Sequence, residues 1–377
     1  MPMFLRRLAL PLALIGALST ACSSAASPST TASTAKGPLS GICPSTVVIQ
    51  TDWQATAERA AAYQLVGPNG TINASKNSYS GPLGSTGVNV EVRLGGSAIG
   101  FQSPASQMYQ DKSIYLSYVS TDTAIQSQAK FPTTAVVAPL NIDPQIIMWD
   151  PATYTINSWK DIKGTKAKIL YTEGLSYMDA LLAKGLITKD QEDSSFDGTP
   201  SRFVAEKGKV LQQGYASNEP YRWEHDVTAW KKPVKYLLVH DAGWPVYPQG
   251  LAVRSGELSK DSACLKKLVP MIQKAQVDYM KNPTATNTTL EKIATAIPGG
   301  PALTPAGDAD AVTVMKKLKI VANGPGGTLG NFDPARVDQS IKLLEPIFKA
   351  KGVSVPAGLK ASDLVTNKFI DPSIKLG

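Results

Sequence analysis

The chain has 377 residues, with 38 Lys and Arg against 30 Asp and Glu and a formal net charge of +8 at pH 7. Its basic residues are scattered singly or in pairs, as at Lys231-Lys232 and Lys316-Lys317, without the basic cluster interleaved with aromatics that marks a nucleic-acid partner. With 43% apolar residues, two histidines (His225 and His240) and neither Cys-X-X-Cys nor His-Glu-X-X-His, the composition is that of a globular protein with room for two domains and no expected metal or other cofactor.

Arg6 and Arg7, an apolar run from Leu8 to Leu18 and the small residues Ser19-Thr20-Ala21 stand before Cys22. A charged start, a short apolar stretch and a small-residue cleavage site read as a secretory signal peptide over residues 1–21. The run is too short to cross a bilayer, which takes about 20 apolar residues. Cleavage just before a cysteine is similar to a bacterial lipoprotein signal, so Cys22 is expected to carry a lipid; the plainer alternative is an ordinary leader with a cysteine nearby. Residues 22–40, rich in Ser, Ala, Thr and Pro, bury too little apolar surface to offset their ordering entropy. They are expected to be a disordered tether, with order beginning near Gly41. The protein is thus expected outside the cytoplasm, anchored to the cell membrane through Cys22.

From there strands and helices alternate. Thr46 to Gln50 reads as a buried strand and Ala55 to Val66 as a helix ended by Gly67-Pro68. Asn69 to Thr86 is polar and rich in Gly, Ser and Asn, which predicts a long surface loop. Val88, Val90, Val92 and Leu94 alternate with polar residues, a strand with one buried face. Further strands are expected at Ile114 to Val119, Thr134 to Val137, Ile146 to Trp149, Lys168 to Tyr171, Tyr236 to Val239 and Leu251 to Val253. Helices are expected at Ser176 to Lys184, on the face made by Phe203, Lys207, Val210 and Leu211, from Leu265 to Tyr279, and near Leu290, Met315 and Leu343. Such repeated strand–helix units predict an α/β fold with mainly parallel sheets covered on both faces.

Cys43 and Cys264 remain beyond the leader. In an oxidising compartment they read as one disulfide, the alternative being two buried thiols. If they pair, the start of the chain and its last third share a domain. Residues 41–145 with 249–377 then form a first, discontinuous domain and residues 146–248 an inserted second one. The connections would run near Pro139 to Pro144 and Trp244 to Gly250, an arrangement suited to hinge closure.

Four stretches resemble a known family: Thr51-Asp52-Trp53 leading to Glu58 and Tyr63; Trp159-Lys160-Asp161-Ile162-Lys163-Gly164 followed by Thr172-Glu173-Gly174; Gln213-Gly214-Tyr215-Ala216-Ser217-Asn218-Glu219-Pro220; and Thr366-Asn367-Lys368-Phe369-Ile370-Asp371. In their order and spacing they resemble the solute-binding lipoproteins of ABC importers, in the branch that binds nitrate, sulfonates, taurine and thiamine-pyrimidine precursors. The resemblance implies a type II periplasmic-binding-protein fold, two α/β domains around a central cleft. It also implies a small-molecule solute and an ABC permease in the membrane as partners; a monomer is expected. The chain departs from the family at Asn69 to Thr86, which looks like an insertion.

In open α/β sheets ligands lie outside the carboxyl ends of the strands. That rule selects Trp53, a flat apolar wall with one N–H donor or else a core tryptophan, and Ser97 after Gly95-Gly96, a hydroxyl beside close-approaching backbone or else a plain turn. Asp122 could hold an amine or ring N–H, or cap a helix. Glu173, Ser176 and Tyr177 precede or open a helix; with Ser176 as its cap, the free N–H groups would favour an acceptor, while Glu173 either faces a cation or is solvated. Asn218, Glu219 and Tyr221 are either binding groups or a structural turn, and Trp244 is either a ligand contact or a hinge residue. No arginine clamp for a sulfonate or carboxylate is evident near these loops, Arg222 being the nearest candidate. These features favour a flat, nitrogenous or aromatic organic solute.

Two other classes compete. Gly95-Gly96-Ser97-Ala98-Ile99-Gly100 nearly fits a nucleophile elbow, but Ile99 breaks the pattern and neither histidine sits in a recognisable triad motif, so a hydrolase is the lesser reading. Gly324 to Gly330 lacks the Lys-Ser/Thr ending of a phosphate loop and reads as a turn. A non-transport surface protein would show a broad exposed apolar patch and no cleft.

Overall fold

A computed structural model describes residues 37–377; the signal peptide, Cys22 and the tether as far as residue 36 lie outside the described residues. The chain first makes six strands, β1 (Thr46–Gln50), β2 (Thr71–Asn73), β3 (Ser78–Pro82), β4 (Asn89–Arg93), β5 (Ile114–Val119) and β6 (Thr133–Val137). Five more follow, β7 (Gln145–Trp149), β8 (Ile169–Leu170), β9 (Glu192–Asp193), β10 (Leu211–Tyr215) and β11 (Lys235–Leu238), and then β12 (Gly250–Arg254). They form two sheets: a seven-stranded one in the order β2-β3-β4-β1-β5-β12-β6, and a five-stranded one in the order β11-β7-β10-β8-β9. The last strand therefore returns to the first sheet after the whole second sheet has been made.

The expected parallel arrangement holds only in part. β1 runs parallel to β4 and β5, and β8 parallel to β9 and β10. β12 is antiparallel to both neighbours, because it enters the first sheet from the direction of the second; β7 is antiparallel to β10 and β11 for the converse reason.

Three local expectations are corrected. Residues 69–86 are not a loop but carry the β2–β3 hairpin, which extends the first sheet beyond β4. Its anchor is Tyr79, 2% exposed, whose hydroxyl donates to the Gly67 carbonyl at 2.6 Å and accepts from the Gly70 amide at 2.8 Å. The helix expected through Phe203 and Leu211 stops at Ala205, with Lys207 and Gly208 at φ of 54° and 70°. A side chain at Gly208 would collide with Asp150 and Trp230, so this turn needs glycine, and Leu211 opens the interior strand β10 instead. Finally, order begins before Gly41: Leu39 is fully buried and its amide donates to the Thr86 carbonyl at 3.0 Å.

The first sheet's apolar face is covered by the helices Ala60–Val66 and Ser262–Lys281, which pack on each other. Val90 and Val92 are fully buried while Asn89 is exposed, as the alternation predicted. Cys43 and Cys264 are bonded, with Cα atoms 4.9 Å apart across 221 residues. The bridge ties the turn before β1 to the first turn of Ser262–Lys281. No helix among the described residues is long and apolar enough to cross a membrane.

The segments between β6 and β7 and between β11 and β12 run side by side. Trp244 Nε1 donates to Asp143 Oδ2 at 2.9 Å, one segment to the other. Arg336, from the helix Pro334–Ala350, donates to the carbonyls of Asn141 (2.6 Å), Pro245 (2.6 Å) and Val246 (2.8 Å) and lies over the Tyr247 ring at 3.9 Å. Burial pushes the Asp143 carboxyl up to about 6, against the hydrogen bonds from Gln145 and Trp244.

Two outcomes are expected. Replacing Cys43 and Cys264 together with serine lowers Tm, with an upper bound of about 5 kcal/mol from loop closure; an unchanged Tm removes the bridge as a stabiliser. The raised carboxyl of Asp143 means that the folded protein takes on the cost of its ionisation between about pH 4 and about pH 6. Asp143→Asn therefore gains stability relative to the parent protein by up to about 3 kcal/mol between those limits, read by denaturant titration; a difference constant with pH sinks the assignment.

Candidate functional site

The carboxyl ends of β1, β4 and β5 lie together. Thr51 Oγ1 donates to the Trp53 carbonyl at 2.6 Å, and the Gly95 amide donates to the same carbonyl at 2.9 Å, so the loops after β1 and β4 are strapped to each other. A Cβ on Gly95 would stand 2.2 Å from the Thr51 carbonyl oxygen, which only glycine avoids. Trp53 is half-buried, lies on Gly96 and has the Phe101 ring 5.8 Å away; Phe101 is 62% exposed. Ser97 is exposed, accepts from Gln54 Nε2 at 2.7 Å and donates to the Gly299 carbonyl at 3.1 Å. It fastens the 298–305 loop beside Trp53.

Arg59, which the sequence analysis does not single out, stands in the turn after Trp53. It is 2% exposed and makes a two-point pair with Asp52, Nε to Oδ1 at 2.9 Å and Nη2 to Oδ2 at 2.7 Å. Glu58 lies at 3.3 Å, and the Tyr215 ring from the other half of the molecule has its centroid 5.6 Å from the guanidinium carbon. Burial alone would lower the guanidinium, but Asp52, Tyr215 and Glu58 outweigh it and hold the charge firmly on. Asp52 and Arg59 are seven residues apart across an irregular turn, a spacing that carries no sequence motif.

Lys351 Nζ crosses from one half to the other to reach Asp179 Oδ2 at 2.6 Å, and two more hydrogen bonds cross at the site. Ser176 Oγ donates to Asp122 Oδ2, and Ser217 Oγ donates to Glu58 Oε1. Both acids belong to the half built on the first sheet and both serines to the half built on the second. Contrary to the capping role considered from sequence, Ser176 does not cap its helix: Leu175 occupies the cap position, and Ser176 is the first helical residue. Nor is Asp122 a cap, since Ser120 precedes Thr121–Ser127 in that place.

Asn218 and Tyr221 line a narrow groove of about 20 Å³ with Glu58, Arg222 and Asp308. Three other candidates point inward. Tyr177, 4% exposed, donates to Gln213 Oε1 at 3.0 Å; Trp244, 3% exposed, is tied to Asp143; Glu219 accepts from the Tyr215 amide at 2.5 Å and pairs with Arg222 at 3.9 Å. Tyr177 and Trp244 meet edge to face, with ring centroids 6.5 Å apart. Glu173 is exposed. Of the residues singled out from sequence, Ser176 meets Asp122 and Asn218 borders one groove with Tyr221, while Trp53 and Ser97 stand on neighbouring loops; Arg59 and Asp308 were not singled out. Among the described residues neither His225 nor His240 hydrogen-bonds a serine, threonine or cysteine side chain; the His225 ring lies on Tyr221 at 4.3 Å.

No protein-family model matches this sequence, and no curated protein matches it. Solved structures do. The periplasmic aliphatic sulphonate-binding protein of Escherichia coli superposes with a TM-score of 0.57 at 14% identity, covering 86% of this chain and 92% of that one. The ligand-binding component of an ABC-type import system from Staphylococcus aureus, solved with zinc bound, has a TM-score of 0.52 at 12% identity, over 87% and 99% of the two chains. The periplasmic nitrate-binding protein of Synechocystis PCC 6803 gives 0.50 at 12% identity, over 86% and 87%. These neighbours are of the kind the sequence motifs resemble, and the chain shares their α/β architecture: it has the type II periplasmic-binding-protein fold.

Proposed function

We propose that this protein is the extracytoplasmic solute-binding component of an ABC importer, held to the membrane by a lipid on Cys22. Residues 41–145 with 249–377 act as one lobe and residues 146–248 as the other, and they close as a monomer on a small organic solute that a permease then takes up. The observation that carries this reading is the division into two sheets joined by two crossings, with the side-chain bonds Asp122–Ser176 and Glu58–Ser217 reaching from one half to the other. Each such bond contributes roughly 1 kcal/mol net, more where a charged acceptor is buried. That is small enough for solute binding to compete with, so the open and closed populations stay within reach of a ligand.

The chemistry of the walls supports a nitrogenous or aromatic solute. Trp53 and Tyr221 are both half-buried and offer flat faces, while Asp122, Glu58 and Asn218 offer polar groups. Arg59 is already matched by Asp52, so a simple anion finds no free guanidinium there. The hydrolase reading loses its nucleophile, because Ser97 is held by Gln54 and Gly299 without a base. A docking surface of broad apolar character has little support, since Ile42 and Phe101 are the exposed large hydrophobic residues among those described.

The test is to purify the protein, identify any co-purifying solute by mass spectrometry and titrate it back. Trp53→Ala and Tyr221→Ala should each weaken binding at least tenfold, about 1.4 kcal/mol, with the circular dichroism unchanged. Undiminished affinity in both removes the aromatic walls from the site. Ser176→Ala combined with Ser217→Ala should enlarge the radius of gyration of the solute-free protein in X-ray scattering; an unaltered curve, with or without solute, argues against closure.

A further inference from the structure

The groove between the helices Glu219–His225 and Pro305–Lys317 holds two polar atoms that the protein itself leaves unsatisfied. Asp308 lies in the first turn of Pro305–Lys317, is 4% exposed, and its Oδ2 has no hydrogen-bond partner. Opposite it, Arg222 Nε is also buried without a partner. Both border the same space, whose far wall is the Tyr221 ring. That ring packs over Gly307, where a Cβ would already come within 3.4 Å of it, so the missing side chain keeps the ring against the helix turn beside Asp308.

A buried acid with a free oxygen calls for a donor. Glu291 shares a hydrogen bond with the Asp308 carboxyl, but no neighbour satisfies its Oδ2. Glu291 faces Asp308 from the helix Thr284–Ala296, Glu58 from the turn after Trp53, and Tyr279 from Ser262–Lys281, while Asp226 and Arg222 border the groove from the side of Glu219–His225. Arg222 is the one basic residue lining it among those described, and it leans to Glu219 at 3.9 Å. Glu58 is already engaged by Thr56, Arg59 and Ser217.

We propose that Asp308 is the counter-ion for an ammonium group of the solute, which sits in this groove against the face of Tyr221, with Arg222 Nε free to donate to an acceptor oxygen of the same molecule. The proposal rests on the solute-binding reading above and narrows it to amines that also carry an oxygen. The ammonium supplies the donor that Oδ2 lacks, and the aromatic face adds a cation–π contact. Burial, together with the charges of Glu291 and Glu58, pushes the Asp308 carboxyl up to about 8. At neutral pH the empty site is therefore a neutral acid. Binding of the cation drives its proton into solvent and leaves a carboxylate–ammonium pair. Affinity should then rise about tenfold per pH unit below pH 8 and level off above it.

The test uses three small probes matched in shape: ethanolamine, its neutral counterpart ethylene glycol, and its anionic counterpart isethionate. Each is added to the full-length protein at equal ionic strength, and Tm is read at about pH 6.5 and about pH 8.5, on either side of the Asp308 transition. Ethanolamine alone is expected to raise Tm, and more so at the higher pH. Asp308→Asn, which changes no charge in the empty site at about pH 6.5, should abolish both the shift and its pH dependence, and Tyr221→Leu should reduce the shift. An equal response to all three probes, no response to ethanolamine, or a full response in Asp308→Asn overturns the proposal. A response to isethionate alone also overturns it while leaving the solute-binding function standing; loss of that function would show instead as a protein that binds no co-purifying solute at all.

Discussion

One guanidinium and one buried carboxyl govern how the two sheets are joined. Irregular backbone between β6 and β7 and between β11 and β12 has no ladder to satisfy its carbonyls, and such groups are costly when buried. Arg336 answers three of them, at Asn141, Pro245 and Val246, and does so for both segments from a single side chain. Asp143 completes the union by accepting from Trp244. The two crossings to the second sheet are thus bound to each other and to the helix Pro334–Ala350.

The electrostatics of the gap follow from that arrangement. On the first-sheet side stand Asp52, Glu58 and Asp122; on the second-sheet side the facing groups are the hydroxyls of Ser176 and Ser217 and the ring of Tyr215. Asp52 is matched by Arg59 in a buried two-point pair. Such a pair contributes little net stability once its desolvation is counted, but losing one partner would strand the other charge. Its effect here is positional: it fixes the turn that carries Trp53 and Glu58, while Asp122 accepts from the Ser176 hydroxyl and Glu58 from both Arg59 and the Ser217 hydroxyl.

The legible parts of this chain were those written in local periodicity. Val88 to Leu94 alternate, and β4 follows; Leu265 to Tyr279 keep a helical stripe, and Ser262–Lys281 follows. The hairpin at residues 71–82 was not legible, because its strands lie at a sheet edge and are polar, and its anchor is the reach of a single tyrosine hydroxyl back to Gly67. The stretch from Phe203 to Leu211 misled for another reason. Apolar residues there suit a helix face, yet Gly208 must pass close to Asp150 and Trp230, and the chain turns into β10. In the site, Trp244, Tyr177 and Glu219 have the residue types of ligand contacts, but their polar atoms answer Asp143, Gln213 and the Tyr215 amide.

By itself the sequence determined the alternation of strands and helices, the strand ends at which Trp53, Ser97 and Asp122 would emerge, and the availability of Cys43 and Cys264 for a bridge. These depend on residue type and short spacing, which the chain carries openly. Only the tertiary structure decided that Asp122 would meet Ser176 across 54 residues, Glu58 meet Ser217 across 159, and Arg336 reach Asn141 across 195. It alone left Asp308 without a partner. Hydrogen bonds act over about 3 Å, and no pattern along a chain states which distant groups the packing of two sheets will bring within that reach.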